Sequence, residues 1–320
     1  MLNNKELKEL ISAARQYIDL QESVIEKDYY ITDIINAIAH IENENFRLIF
    51  CGGTCLAKAH KMVKRMSEDI DFKMQLKKPL AISSKSYLLK ELKKFRSQIM
   101  KALELPHITI SHSTVRNEGQ YLRAELTYSA LFRASDALRP HLLLEFTLSN
   151  IRLPTESLLI NTLIEDVIKV EPLFPSSPIH CISTDETAIE KWVGLTRRIA
   201  AIERGYHEDD STLIRHIYDL NSINQASKIS ENFFKLAKHI INEDAKQFKN
   251  QHPEYFNNPV NEIRYSLKIL KTKPLWKERY QEFLDTMVYD KTTTSDYDKA
   301  IQSIENISKK VIASLKRLIV

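Results

Sequence analysis

Two aspartates one residue apart, Asp69 and Asp71 in "RMSEDIDFKM", follow shortly after a glycine pair in "FRLIFCGGTCLAKAH". The chain has only 5 glycines, so two in succession after an apolar run mark a place where the backbone turns or closely approaches something. In a strand, side chains i and i+2 face the same way, which sets the two carboxylates side by side, roughly 7 Å apart at their backbones. Two carboxylates that close repel unless a cation lies between them. Mg²⁺ takes oxygen ligands and commonly bridges one or two carboxylates to substrate phosphates. Gly52 and Gly53 let backbone N–H groups approach a phosphate without Cβ interference, and the N-terminus of a following helix favours the same anion. Thr54 is placed to cap that helix or to contact the phosphate. Glycine pairs at strand ends and DxD on strands are each common. Strand, glycine turn, helix and DxD strand together form one unit that brings phosphate and metal ligands to the same place.

Other elements must hold that unit. The periodicity predicts helices over about 4–18 and 22–41, a buried strand at "FRLIFC", a helix over 54–63 and a strand at "DIDFKMQL". A lysine-rich helix is expected around 84–104, followed by three β-rich runs, "HITISHSTV", "YLRAELTYSA" and "HLLLEFTLSN". These make a mixed sheet carrying helices and ending near residue 170. After "EPLFPSSPIHCI" the chain becomes mostly helical, beginning with a capping-box spacing at Ser183 and Glu186. The fold class is therefore α+β. The expected domains are 1–178, with the N-terminal helices and the sheet, and a helical 179–320.

At 320 residues, with 43% hydrophobic and 28% charged residues, the composition is that of a globular protein. No apolar run is long enough for a membrane span, and the start, "MLNNKELKELISAARQYIDL", reads as an amphipathic helix and not a signal peptide. The 3 cysteines, Cys51, Cys55 and Cys181, are odd in number and form no CxxC. A disulfide framework or zinc site is not expected, and a cytoplasmic location fits. Charge is uneven: residues 221–320 hold 17 basic and 12 acidic side chains, against 29 and 30 in the first 220. The basic end suits a polyanionic partner.

The glycine–DxD unit looks like the core of polymerase-β-type nucleotidyltransferases. In detail, "GGTCLAKAH" followed by "RMSEDIDF" resembles the AbiEii/AbiGii and MenT toxins of type IV toxin–antitoxin systems. The leading "VIEKDYYITDIINAI" and the later "AIEKWVGLTRR" and "RHIYDL" resemble further motifs of that family, in the same order. The resemblance implies a polymerase-β-like core and Mg²⁺-dependent transfer of a nucleoside monophosphate from an NTP, with growth arrest as the outcome. It also implies a cognate antitoxin and an acceptor that can be the 3′ end of tRNA. Residue by residue, Asp69 and Asp71 match the metal ligands, and Gly52, Gly53 and Ser67 match the nucleotide-binding portion, with Arg65 at a basic position before that serine. Lys191 matches a lysine that contacts the nucleotide, and Asp219 the late acidic residue. Two departures stand out. Arg215 is followed by His216 where the family often has an acid, and the first motif has GG where many polymerase-like transferases have GS.

A third carboxylate is expected on a neighbouring strand, to complete the metal site or take the proton of the attacking hydroxyl. Glu145, a lone acid in an apolar strand, is favoured, with Glu125 as competitor. His207, Asp209 and Asp210 in "GYHEDD" are expected in a solvated turn. Tyr255, Phe256, Trp276 and Tyr280 could stack on nucleic acid, although such residues more often pack helices. The free protein is expected to be a monomer. Two alternatives remain: a nucleotidyltransferase acting on a small drug-like molecule, and a non-catalytic relative that only binds a partner.

Overall fold

Asn3 opens the first helix, α1 (Asn4–Arg15): its side chain accepts from the Lys5 and Glu6 amides, and the Glu6 carboxylate returns to the Asn3 amide. This capping box satisfies amides that the first turn would otherwise leave unpaired. The computed structural model describes residues 2–78, 85–133, 139–175, 177–292 and 294–317. Its contacts divide the chain into two units, Met1–Ser183 and Thr184–Val320.

In the first unit, α2 (Glu22–Ala39) is buried almost all round. Then come β1 (Phe46–Cys51), α3 (Gly52–Lys58), β2 (Asp69–Leu76) and α4 (Lys85–Ala102). The chain continues through β3 (Ile108–Arg116), β4 (Tyr121–Tyr128), β5 (Leu142–Leu148), β6 (Glu156–Leu158), α5 (Leu163–Ile168) and β7 (Ile179–Cys181). The strands form one mixed sheet in the order β3-β4-β5-β2-β1-β7-β6, parallel only between β2 and β5 and between β1 and β7.

Alternation along the central strands sorts the sheet into two faces. Phe46, Leu48 and Phe50 of β1 pair in register with β2, whose Phe72 and Met74 share their face; Phe146 of β5 and Leu122 of β4 continue it. All are nearly inaccessible. Phe50, Phe72 and Phe146 run as a ladder with ring centroids 5.2 and 5.8 Å apart, and Phe95 of α4 stacks on Phe46 at 5.2 Å. Such ring pairs contribute about 0.5–1.5 kcal/mol each beyond their buried area. The other face carries the polar residues of β2, β4 and β5.

Two expectations need correction. The helix expected over 54–63 starts earlier and ends at Lys58, after which Lys61 adopts a left-handed conformation (φ 55) that turns the chain. The sheet does not end near residue 170. Within the proline-rich stretch after it, β7 pairs Cys181 with Phe50 of β1, a strand too short for periodicity to reveal. The start of the lysine-rich helix, residue 84, lies outside the described residues.

The second unit is helical: α6 (Thr184–Glu203), α7 (Ile214–Gln225), α8 (Glu231–Gln247), α9 (Pro253–Asn257), α10 (Pro259–Thr272), α11 (Pro274–Met287) and α12 (Tyr297–Arg317). Pro253, Pro259 and Pro274 each open a helix, where the missing amide is no loss. Tyr255, Trp276 and Tyr280 are buried among these helices, so they pack them, while Phe256 is exposed. No described helix is long and apolar enough to cross a membrane.

Candidate active site

β2 is the axis of the polar face. Its Asp71 lies opposite Glu145 of β5 on one side and Cys51 of β1 on the other, and Asp69 lies opposite Leu143. Directly paired residues share a face, and Asp69 shares it with Asp71 by the two-residue period. Three carboxylates thus stand on one face of two adjacent strands. Glu125 sits one strand further out on β4, opposite Leu143, and its carboxylate pairs with Arg123 at 2.7 Å.

The glycine turn is fitted against this face. Gly52 has φ +77, and a Cβ there would meet Asp71 Oδ2 at 2.1 Å. A Cβ on Gly53 would meet Arg65 Nη2 at 2.5 Å and Ser67 Oγ at 3.0 Å. Position 52 therefore demands glycine for backbone conformation and for close approach at once, whereas at Gly53 a side chain would have to displace the Arg65 guanidinium and crowd Ser67. Thr54 does not cap α3, whose N-cap residue is Cys51 with no side-chain cap. Its buried hydroxyl instead lies 2.9 Å from Ser67 Oγ and bonds the Asp69 carbonyl, tying the helix to the start of β2. Arg65 is buried behind the turn, with Nη1 donating to the Met66 carbonyl at 3.0 Å.

As they stand, these carboxylates have protein partners. Asp69 receives the Arg139 guanidinium, and Glu145 receives the Tyr121 hydroxyl. Burial, together with the Glu145 charge, pushes the Tyr121 phenol up to about 12, so it remains a donor at neutral pH. Among the described residues, no group of three His, Cys, Asp or Glu side chains is gathered into a metal cage. The donor set nonetheless fits a hard cation: oxygen ligands only, on one face, beside a backbone turn with no side chain in the way.

Behind the face, α2 carries three consecutive buried charges, each pinned to a different segment. The Glu26 carboxylate accepts from the Leu131 and Phe132 amides at 2.6 and 3.2 Å. Lys27 Nζ donates to Glu68 and to the Arg139 carbonyl, both at 2.7 Å. Asp28 pairs with Lys58 of α3 at 2.5 Å and accepts from the Leu163 amide at 2.7 Å. Burial pushes the Lys27 and Lys58 ammonium groups below the ordinary lysine value, opposed by their carboxylate partners. Lys27, Glu68, Arg139 and Tyr121 were not singled out from sequence. The one signal for the first of them is the run "EKD" inside an otherwise apolar helix, since charges in a buried helix require partners.

In the second unit, Lys191 Nζ of α6 pairs with Asp219 of α7 at 2.9 Å, the aspartate being wholly buried. His216 Nδ1 lies 3.2 Å from the Lys191 carbonyl, which can only accept, so this nitrogen carries the proton. Burial and the Lys191 charge lower the His216 pKa to about 3, leaving the ring neutral. The "GYHEDD" segment is not simply solvated: Asp209 pairs with Arg279 and Asp210 with Arg198. All three cysteines are buried and outside any disulfide.

Residues 37–303 match the family of nucleotidyl transferase AbiEii toxins of type IV toxin–antitoxin systems, and the chain belongs to that family. It is thus a nucleotidyltransferase of a toxin–antitoxin system, a class whose members have an antitoxin partner. Among solved structures it is similar to MenT4, a nucleotidyltransferase toxin from Mycobacterium tuberculosis H37Rv, at 14% identity and a TM-score of 0.52 over 99% of both chains. That similarity shows the α+β fold. No curated protein matches the sequence.

Proposed function

We propose that the enzyme is a magnesium-dependent toxin that transfers a nucleoside monophosphate from an NTP to the 3′ end of a tRNA in the cytoplasm and thereby arrests growth. The observation that carries this reading is the register of β2 with β5, which sets Asp71 opposite Glu145 with Asp69 on the same face, beside a turn that only glycine fits.

Asp69, Asp71 and Glu145 would hold the metal, which when bound withdraws charge from the phosphate oxygens of the nucleotide. Gly52 and Gly53 admit the triphosphate to the backbone amides at the start of α3. Arg65 and Ser67 support that turn from behind. The acceptor hydroxyl attacks the α-phosphorus, its proton passing to a carboxylate of the row, and the α–β phosphoanhydride bond breaks to release pyrophosphate. Lys191, oriented by Asp219, supplies positive charge to the phosphates, a role drawn from the family motif. The basic excess of residues 221–320 would meet the RNA backbone.

The test is incubation of the purified protein with each α-labelled NTP, Mg²⁺ and total RNA across a salt series. Label should enter tRNA, and RNA affinity should fall steeply with salt, because the free energy gained by releasing counterions from the phosphates shrinks as salt rises. Charge reversal at the exposed Lys309 and Lys310 should weaken labelling and spare NTP binding. Labelling of a small molecule with no response to salt would replace RNA as acceptor. No labelling of any acceptor with any NTP would leave only partner binding.

A further inference from the structure

Arg139 is fixed at its backbone and open at its head. Its amide donates to Glu68 Oε2 at 2.9 Å, and its carbonyl accepts from Lys27 Nζ at 2.7 Å. Lys27 and Glu68 pair with each other at 2.7 Å, with side-chain exposures of 2% and 4%. A sealed ion pair therefore grips both polar groups of one peptide position. The guanidinium beyond it lies on Asp69, in a pair whose side chains are 39% and 29% exposed. Buried pairs are hard to break, whereas exposed ones exchange readily with solvent and ions. The anchor is permanent; the head is free to change partner.

Its present partner is one of the two carboxylates read above as metal ligands. An arginine there neutralises a row of like charges while no metal is bound. It also competes with any cation for the same oxygens. A nucleotide arrives with its own negative charge, and the planar fork of a guanidinium matches phosphate oxygens as well as it matches a carboxylate. We propose that Arg139 is a phosphate-binding residue of this site, which rests on Asp69 in the empty enzyme and turns to the nucleotide phosphates when nucleotide and metal bind. The proposal rests on the reading of Asp69 and Asp71 as metal ligands.

Wild type, Arg139→Gln, Arg139→Lys and Asp71→Ala separate the possibilities. Two affinities are measured for each: Mn²⁺ without nucleotide, by calorimetry, and α,β-methylene analogues of the four NTPs in the presence of Mg²⁺. Arg139→Gln should bind Mn²⁺ about tenfold more tightly, because a competing cation is gone, and the analogues about tenfold more weakly. Arg139→Lys should restore the competition and only part of the nucleotide affinity, since an ammonium has no fork. The opposite signs are the signature, because a purely structural arginine would shift both affinities the same way. Unchanged affinities in Arg139→Gln, or a fall in both, overturn the proposal. If wild type and Asp71→Ala bind Mn²⁺ alike, the metal-ligand reading fails and takes the proposal with it. If Asp71→Ala loses Mn²⁺ while Arg139→Gln leaves both affinities unchanged or lowers both, that reading stands and only Arg139 is removed from the site.

Discussion

Lys27 and Lys191 each hold a carboxylate, at 2.7 Å on Glu68 and 2.9 Å on Asp219, yet the two pairs are sealed differently. Both members of the first are shut away. In the second the aspartate has 0% exposure and the lysine 12%, so the lysine keeps an open side. A lysine closed on all sides holds architecture together: it joins α2 to the segment before β2 and to Arg139. A lysine fixed by a buried acid and still reachable suits the phosphate contact proposed for Lys191. Burial of the lysine itself, more than the length of the ion pair, distinguishes the two.

Breaking each pair should expose that difference. Lys27→Met leaves Glu68 buried without its cation and should lower stability by about 3–5 kcal/mol. Adding Glu68→Gln should recover most of the loss, because an amide oxygen still accepts from the Arg139 amide. Urea unfolding of the single and double variants measures this, and a single variant as stable as wild type would show that the pair anchors nothing. Lys191→Met with Asp219→Asn should likewise remain folded, but transfer should fall by roughly a hundredfold for want of a cation on the phosphates. Full turnover in that double variant would make Lys191 an ordinary structural lysine.

The smallest effect at neutral pH concerns His216. Its folded pKa is lowered to about 3 by burial and by the nearby Lys191 and Arg198 charges, with Asp219 opposing. Above the unfolded value of about 6.5 both states are neutral and the residue contributes no pH dependence. As pH falls below that value, the unfolded chain takes up a proton that the folded chain refuses until about 3, so stability declines. His216→Asn should flatten the decline between these limits. Identical slopes of unfolding free energy against pH for wild type and variant would contradict it.

The contrast also marks what was legible in the sequence. Asp69 and Asp71 were visible because a strand has a period of two, and Gly52 and Gly53 because glycine is scarce and the turn follows an apolar run. Glu145 stood out as one acid among apolar neighbours, and β5 sets it opposite Asp71. Lys27–Glu68 and Lys27–Arg139 join residues 41 and 112 positions apart, and no local pattern encodes such partners. Tyr121 reaches Glu145 only because β4 lies beside β5. The strand β7 was hidden by its length of 3 residues and by the prolines around it. Of the two roles expected for Thr54, the cap fails for a different reason. A hydroxyl just after a glycine turn looks like a cap, but α3 begins two residues earlier and the hydroxyl ties down β2.

The central claim is that the carboxylate row on β2 and β5 is the transfer site. The most direct measurement is labelled-NMP transfer by Asp69→Ala and Asp71→Ala, alongside thermal unfolding in metal-free buffer. Transfer should fall by at least about a hundredfold in each variant. Stability should change by no more than about 1 kcal/mol for Asp69→Ala, whose partner Arg139 is half exposed. Undiminished transfer in either folded variant would contradict the assignment.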